Sequence, residues 1–241
     1  MTSEFWLLSR KNVETAMQKK RRRRGKTARQ RQIENRRRLL RTILAVAGIV
    51  VVILIAKRCL GEKGESRAMA DGDTPGQPDL DVQLLTVNEF SRPGIPLDHV
   101  NGIVVHYVAN PGSSAEANRD YFENLQNTQT TKASSHFIVG LDGEIIQCVP
   151  TAEIAYASNE RNGDTISIET CHPDETGAYN EATYQSLVNL TAWLCKKFGL
   201  TSEQVIRHYD ITGKICPKYF VENEGAWADF KKDVDNRIEN L

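Results

Sequence analysis

Residues 208–216, HYDITGKIC, contain the pair of side chains in this chain best suited to bind a metal ion. His208 and Cys216 stand eight residues apart, with Lys214 two residues before the thiol. Imidazole nitrogen and thiolate sulfur are ligands that zinc prefers, and a helix followed by a loop over this length is able to present both side chains to one ion. Two ligands do not make a site, so the rest of the chain must supply a third ligand and a base.

His106 is a candidate for the third ligand. It ends an apolar stretch, GIVVHY at 102–107, whose pattern predicts a buried strand. By alternation His106 shares a face with Val104 and lies opposite Val105. A lone histidine in such a place is more often a core residue than a ligand. Its position at a strand end, followed by a polar and turn-rich loop, favours a functional site instead.

Glu169 is the candidate base. It ends an alternating strand, DTISIET at 164–170, where a carboxylate is costly unless it points into a polar cleft. The alternative is a surface acid at the end of a strand, which is common. Lys214 has a similar alternative, since a lysine in a loop is usually solvated.

These side chains need a folded domain to bring them together, and the sequence predicts one of the α/β class. Its signals are a Ser-Ser-Ala-Glu capping box, an Asp-Gly hairpin turn, apolar residues at helical spacing and Gly199 as a helix C-cap. The expected architecture is a single domain with a mixed central sheet flanked by helices. Beside the strands already named, the predicted elements are helices at 113–125, 184–198, 201–204 and 225–240 and a hairpin of strands at 136–141 and 144–149.

The N-terminal part of the chain differs from this domain in charge and hydropathy. Residues 1–41 carry fifteen Lys and Arg against three Glu, a net charge of +12, and the remaining residues carry −12. Residues 39–56, LLRTILAVAGIVVVILIA, contain one charge, Arg41. As a helix they would span about 27 Å, close to the ~30 Å hydrocarbon core of a bilayer. A buried core helix and a cleaved signal peptide are the alternatives, and the long basic segment and continuous apolar run favour a signal anchor.

The excess of positive charge before this span predicts that the N-terminus is cytoplasmic and that the chain after residue 60 lies outside the membrane. No aromatic residue interrupts the basic region 11–41 and no DNA-binding motif occurs, so nucleic acid is not an expected partner. We divide the chain into four segments: a basic cytoplasmic segment at 1–41, a transmembrane signal anchor at 42–58, a flexible linker at 59–83 and a folded domain at 84–241.

Four motifs within the folded domain, in this order, resemble the zinc-dependent N-acetylmuramoyl-L-alanine amidases: VVHYVAN, SSHFIVGLDGEIIQCVP, TISIETCH and RHYDITGKICP. That family shares a fold with T7-type lysozyme and with animal peptidoglycan-recognition proteins. The resemblance covers roughly residues 84–241 and identifies them as a zinc amidase catalytic domain. It says nothing about the anchor.

The resemblance implies a role for each candidate residue. His106, His208 and Cys216 would ligate one Zn²⁺ per chain and leave a fourth position for water. Glu169 would be the general base, and Lys214 would stabilise the oxyanion. The residues assigned to substrate contacts are Asn110, His136 and His172, with a structural role as the alternative for His136. Some relatives carry a tyrosine at the position of Ser135, so we expect no aromatic hydroxyl to assist at the metal.

The expected function is hydrolysis of the amide bond that joins N-acetylmuramic acid to the L-alanine of the stem peptide in peptidoglycan. The expected location is the bacterial cell membrane, in a single-pass topology with the domain outside. A non-catalytic peptidoglycan-binding protein of the same fold is the alternative. Cys216 favours an enzyme, because binding-only members typically lack the cysteine. A structural zinc would need a fourth protein ligand, for which Cys171 and His172 are the nearest candidates.

Overall fold

A computed structural model describes residues 75–241 and, near the N-terminus, Glu14, Thr15 and Met17. Within residues 75–241 the chain forms six strands, five α-helices and two 3-10 turns, at Asn159–Arg161 and Ser202–Gln204. The strands are β1 (Asp81–Val82), β2 (Gly102–Val105), β3 (Phe137–Val139), β4 (Ile145–Gln147), β5 (Thr165–Thr170) and β6 (Val205–Arg207). The helices are α1 (Ala115–Thr128), α2 (Glu181–Phe198), α3 (His208–Thr212), α4 (Lys218–Glu222) and α5 (Glu224–Glu239).

The six strands form one mixed sheet in the order β1-β4-β3-β5-β2-β6. Only β3 and β4 pair antiparallel among the described strands; the other neighbours are parallel. Val105, the last residue of β2, lies opposite Ile168 of β5 and Arg207 of β6. This register brings the carboxyl ends of three parallel strands to the same edge. The predicted mixed sheet flanked by helices is confirmed.

Helices α2 and α5 cover one face of the sheet. Apolar side chains from β2, β3 and β5 on this face are fully buried against α2, which itself buries a continuous apolar stripe. Phe220 of α4 stacks on Phe230 of α5, with ring centroids 5.1 Å apart, and Trp227 closes the same cluster. This is the larger of the two apolar cores, and it packs the parallel strands against the helices on this face of the sheet.

Helix α1 covers part of the other face with a smaller core that includes Phe122, Leu125, Ile138 and Ile146. Strand β5 is therefore enclosed on both faces, and five of its six residues are buried. The sequence predicted a half-buried strand here. The difference arises because Ser167 and the neighbouring polar residues face a covered polar region rather than solvent.

Local signals in the sequence place the ends of most elements. The Asp142–Gly143 turn joins β3 to β4, with Gly143 at φ +83°. Helix α2 ends at Gly199, whose left-handed backbone lets its N–H donate to the carbonyl of Cys195. Helix α1 begins one residue later than the capping box suggested, since Ser114 accepts from the Ala117 N–H. These predictions hold because they depend on short-range chemistry.

The predicted linker at 59–83 overlaps the folded domain at its end. Asp81 and Val82 form β1, which pairs with β4, and Leu80 packs against the larger core. Both residues of β1 are exposed and show no hydrophobic pattern, so this edge strand was not predictable from the sequence. The predicted transmembrane segment at 42–58 lies outside the described residues. Among the residues that the structure does describe, no helix has the length and apolarity needed to cross a membrane.

Candidate metal centre

Three functional side chains meet at one edge of the sheet because the strands that carry them are parallel neighbours. His106 directly follows β2, and His208 directly follows β6. Glu169 is the penultimate residue of β5 and lies on the face opposite to the buried Ile168. Strand pairing continues past β2, since the His106 N–H donates to the carbonyl of Ile168 over 2.8 Å. Pairing between the strand backbones thus sets the spacing of these three residues, independently of contacts between their side chains.

Cys216 completes the cluster from a loop. It lies 3.8 Å from His106, measured from Sγ to Nδ1. The ligand atoms of His106, His208 and Cys216 all lie within 4.8 Å of one another, and the three residues are buried, at 2%, 6% and 2% exposure. In a tetrahedral zinc site, nitrogen and sulfur ligands stand about 3.6 Å apart, given metal–ligand distances of about 2.0 and 2.3 Å.

Two further observations fit this donor set to zinc. Nε2 of His208 lies 2.9 Å from Asn159 Oδ1, whereas its Nδ1 is buried and has no hydrogen-bond partner among the described residues. An unpartnered buried nitrogen is costly and is explained if a metal takes its lone pair. Two imidazoles and one thiolate form a three-ligand set of the kind that leaves the fourth position of a catalytic zinc open.

Residues 208–216 fold back on themselves as the sequence predicted. The Tyr209 N–H donates to the carbonyl of Cys216 over 2.9 Å, so the end of the loop returns to the start of α3. Before the loop, the guanidinium of Arg207 bonds to Asp210 and to Glu224, at 2.8 and 2.7 Å, and donates to the carbonyl of Phe220. Arg207 therefore joins the start of α3 to α4 and α5, and this fixes the backbone from which His208 projects.

Burial controls the charge of the three ligands in the metal-free protein. It lowers the pKa of His106 well below the usual range, and the nearby His208 and Lys214 lower it further. Burial and Lys214 also lower the pKa of His208. Burial raises the pKa of the Cys216 thiol to about 12, and the Glu169 carboxylate adds to this. The imidazoles are thus held neutral, which is the form that binds a metal.

Glu169 and Lys214 face the same cavity as the three ligands. Burial raises the pKa of Glu169 to about 7, against the opposing effect of the Lys214 charge. Its Oε2 is buried and has no hydrogen-bond partner within residues 75–241. A carboxyl group with a pKa near neutrality exchanges protons readily in both directions, which suits a general base that later acts as an acid.

The cavity beside the metal ligands has a volume of about 350 Å³. The polar loop at 156–163 contributes Tyr156, Ala157, Asn159 and Asn162 to its wall. The wall also contains side chains to which the sequence assigned no role: Tyr107, Phe122, Lys132, Ala133 and Ser134. Tyr107 and Ser134 lie within two of the four motifs although no role was assigned to them, whereas Phe122 of α1 and the loop residues Lys132 and Ala133 lie outside every motif.

Tyr107 and Tyr156 change one expectation. The sequence offers Ser135 where some relatives have a tyrosine, from which we expected no aromatic hydroxyl near the metal. Ser135 is fully buried and donates to the carbonyl of Phe137. Tyr107 and Tyr156, in contrast, line the cavity from other positions, and Lys132 Nζ lies 5.5 Å from the centre of the Tyr156 ring. Two tyrosines therefore line the cleft, and whether either hydroxyl assists at the metal stays a prediction.

The three residues assigned to substrate contacts lie away from the cavity wall. Asn110 is exposed in a turn, where its carbonyl accepts from Ser113. His136 is buried and both of its ring nitrogens are hydrogen-bonded, to Ser167 and to the Glu153 carbonyl. His172 is buried next to Tyr107, with ring centroids 5.1 Å apart. All three belong to the described part of the chain, and none lines the cavity.

The sequence that builds this site matches a known protein family. The family model Amidase_2, described as N-acetylmuramoyl-L-alanine amidase, matches residues 96–219. These residues include the three candidate ligands, Glu169 and Lys214. The match covers half of the chain and coincides with the part of the domain that builds the cavity.

Individual relatives agree with the family match. The chain is 37% identical to the N-acetylmuramoyl-L-alanine amidase CwlL of Bacillus licheniformis over 170 residues, which are 65% of this chain and 47% of CwlL. It is 34% identical to the amidase BlyA of Bacillus subtilis over 175 residues, 64% of this chain and 46% of BlyA. The chain therefore spans about half the length of these curated relatives. Among solved structures, the catalytic domain of XlyA aligns with a TM-score of 0.56 and 26% identity, over 65% of this chain and 99% of that domain.

Proposed function

The chain belongs to the N-acetylmuramoyl-L-alanine amidase family, and on that premise we propose that it hydrolyses peptidoglycan at the amide bond between N-acetylmuramic acid and L-alanine. One observation carries this proposal: a buried His106–His208–Cys216 cluster opens into a cavity that also contains Glu169. The cluster supplies ligands for a metal, and Glu169 supplies a base beside it. The relatives CwlL and BlyA are both named N-acetylmuramoyl-L-alanine amidase.

In this proposal His106, His208 and Cys216 hold one zinc ion. Zinc, when bound, is a Lewis acid that makes water more acidic and polarises the carbonyl of the scissile amide. The two histidines contribute no charge and the thiolate contributes one, so the site keeps a net positive charge once loaded. A neighbouring carboxylate is then stabilised by that charge, which suits the position of Glu169.

Glu169 moves the proton. Its unpartnered Oε2 accepts a proton from the attacking water, and the same atom then delivers a proton to the leaving nitrogen of alanine. An amide nitrogen leaves poorly unless it is protonated, so the second transfer is as necessary as the first. Burial raises the pKa of Glu169 and the charges of Lys214 and of a bound zinc would oppose that rise, so the carboxylate form needed for the first transfer is favoured in the loaded site.

Lys214 acts on the oxyanion that forms when water adds to the carbonyl. It lines the cavity, and its positive charge lowers the pKa of His106, His208 and Glu169, so its field extends across the centre of the site. A fixed cation at this place stabilises negative charge that develops during the reaction.

We also propose that residues 42–58 anchor the protein in a bacterial cell membrane, with the N-terminus in the cytoplasm and the domain outside. The support is the +12 charge of residues 1–41, followed by an apolar run with Arg41 as its only charge. This topology delivers the hydrolase to its substrate. Resistance of the chain to alkaline extraction from membranes, with external protease digesting only the domain, would support the topology; full release by alkali would contradict it.

The activity is tested with the full-length chain in detergent and purified peptidoglycan. We expect new free amino groups of L-alanine without new reducing sugar ends, since the glycan bonds stay intact. Chelation of zinc should abolish the release and added zinc should restore it. Binding to peptidoglycan without any release of amino groups, from zinc-loaded protein, would favour the non-catalytic alternative over the hydrolase.

A further inference from the structure

We propose that the dipeptide Ser158–Asn159 holds both histidine ligands in the tautomer that leaves Nδ1 free to bind zinc, and so raises the affinity of the site for the metal. The proposal rests on the zinc site described under the proposed function. Ser158 and Asn159 are positioning residues, because they act through His106 and His208. No motif in the sequence assigns them this role.

The two residues contact the two imidazoles on the side away from the thiol. Nε2 of His106 lies 3.2 Å from Ser158 Oγ, and Nε2 of His208 lies 2.9 Å from Asn159 Oδ1. The two rings are themselves neighbours, with centroids 4.7 Å apart. One turn of the chain thus contacts both ligands at equivalent atoms.

The contact with Asn159 selects the tautomer of His208, and the contact with Ser158 is compatible with the same tautomer of His106, because a serine hydroxyl both donates and accepts. A neutral imidazole has one N–H and one lone pair, on different nitrogens, and a metal needs the lone pair. Asn159 Oδ1 only accepts, so His208 must carry its hydrogen on Nε2, and its unpartnered Nδ1 keeps the lone pair. If His106 likewise donates from Nε2 to Ser158 Oγ, its Nδ1 lone pair faces the sulfur of Cys216, 3.8 Å away.

The turn that holds the dipeptide is built to keep it in place. Asn162 Oδ1 accepts from the backbone N–H groups of both Ala157 and Ser158, at 3.0 and 2.6 Å. Arg161 donates its backbone N–H to the Ser158 carbonyl and pairs with Asp164 at the start of β5. Ser158 is 1% exposed, so water does not compete for its hydroxyl. Through these hydrogen bonds, the turn that contacts the histidines is attached to the start of β5.

The backbone of Asn159 adds an independent observation. Its φ is +53°, a left-handed conformation that glycine adopts without strain and that costs other residues energy. Asparagine tolerates this conformation, yet glycine would relieve it further. What glycine would remove is the amide group that contacts His208. The position thus combines a strained backbone with a side chain that has a specific partner.

This combination gives a sharp experiment on the full-length chain in detergent. Asn159→Gly keeps the backbone and removes the amide, whereas Asn159→Asp keeps an accepting oxygen at the same place. Ser158→Ala removes the contact to His106. Two matched controls are Gln129→Gly, at another left-handed residue with φ +54°, and Ser135→Ala, at another buried hydroxyl. Zinc affinity is measured by competition with a chromophoric chelator at one pH.

We expect Asn159→Gly and Ser158→Ala to lose roughly 10- to 100-fold in zinc affinity, the usual effect of losing a partner behind a metal-bound histidine. Asn159→Asp and both controls should stay within a few-fold of the wild type. In the metal-free protein, nitrogen NMR should find His208 protonated on Nε2 in the wild type and in a mixture of tautomers in Asn159→Gly.

The outcomes separate this proposal from the one on which it rests. Tight zinc binding by the wild type and equal binding by Asn159→Gly and Ser158→Ala would overturn the positioning role alone. Equal losses in Asn159→Gly and Gln129→Gly would also overturn it, since the effect would then come from the backbone. A wild-type chain that binds no zinc would overturn the metal site itself.

Discussion

His136 and the two candidate ligands His106 and His208 are buried histidines of one sheet whose ring nitrogens have different partners. All three lie directly before or after a strand. Around His136, Nδ1 accepts the backbone N–H of Ser167 at 3.0 Å and Nε2 lies 2.9 Å from the Glu153 carbonyl. In the candidate ligands each Nε2 contacts an oxygen of Ser158 or Asn159 instead.

The difference lies in what faces Nδ1. At His136 it is a backbone N–H, which uses the lone pair and locks the ring into the fold. At His106 it is the sulfur of Cys216, and Nδ1 of His208 has no hydrogen-bond partner among the described residues. Burial lowers the pKa of His136 to about 4, so it too stays neutral at pH 7. Neutrality and burial are therefore common to the three histidines, and the partner of Nδ1 is what differs.

Replacing a candidate ligand should have the largest effect on zinc affinity and activity, whereas replacing a buried residue outside the cluster should affect neither. We expect Cys216→Ser to lower zinc affinity by more than about 100-fold, beyond the effect of losing an outer contact, and to leave activity undetectable. The control is Cys195→Ser, which alters a buried thiol in α2 far from the cavity wall and should lower only thermal stability. Metal analysis after gel filtration measures the effect; full zinc occupancy in Cys216→Ser would show that the ligand set is wrong.

Replacing the base should separate catalysis from metal binding. We expect Glu169→Gln to keep its zinc and to lose roughly 10²- to 10⁴-fold in kcat, because the amide has the shape of the carboxylate but accepts no proton. The measurement is the rate of amino-group release at saturating peptidoglycan, with metal content determined on the same sample. Wild-type activity in this variant would show that another group, such as Tyr107 or Tyr156, is the base.

Removing the cation should have a smaller effect on the same reaction. We expect Lys214→Met to lower kcat about 10²- to 10³-fold, the cost of losing one group that stabilises an oxyanion, with zinc content unchanged. Lys231→Met is a control at a half-buried lysine that is paired with Glu203 and does not line the cavity. A variant with normal kcat would place Lys214 among ordinary solvated lysines, the alternative that the sequence left open.

The smallest effect on activity should come from His136, whose influence is on stability. Its folded pKa is about 4 and its unfolded value 6.5, so its stabilising contribution is complete above pH 6.5 and is lost as pH falls to 4. The difference corresponds to about 3 kcal/mol. Denaturant unfolding of the wild type and of His136→Gln, compared between pH 7 and 4, should show the steeper decline in the wild type; parallel curves would contradict the assignment.

Much of this site was predictable because its residues follow strands with clear hydrophobic patterns. The strand before His106 and the alternation before Glu169 placed both residues at strand ends, and parallel pairing then brought the ends together. The short separation of His208 and Cys216 predicted a local fold-back, which the Tyr209–Cys216 backbone hydrogen bond provides. Patterns of this kind depend on neighbours in sequence, so a single sequence contains them.

The parts that sequence reasoning missed depend on contacts between distant segments. Ser158 and Asn159 reach the ligands over 52 and 49 residues of chain, and nothing near them in the sequence indicates those partners. Strand β1 has two exposed residues and forms only because β4 offers an unpaired edge. For His136, the sequence suggested either substrate or structure, and the choice depends on Ser167 and Glu153, which lie outside its motif.

The backbone hydrogen bond from Tyr209 to Cys216 has a consequence for the affinity of any metal held at this place. It joins the end of the loop to the start of α3, so the backbone sets the distance between His208 and Cys216. Two donors with a preset spacing would lose little entropy on binding one ion, so the site would bind a metal more tightly than a flexible loop with the same side chains.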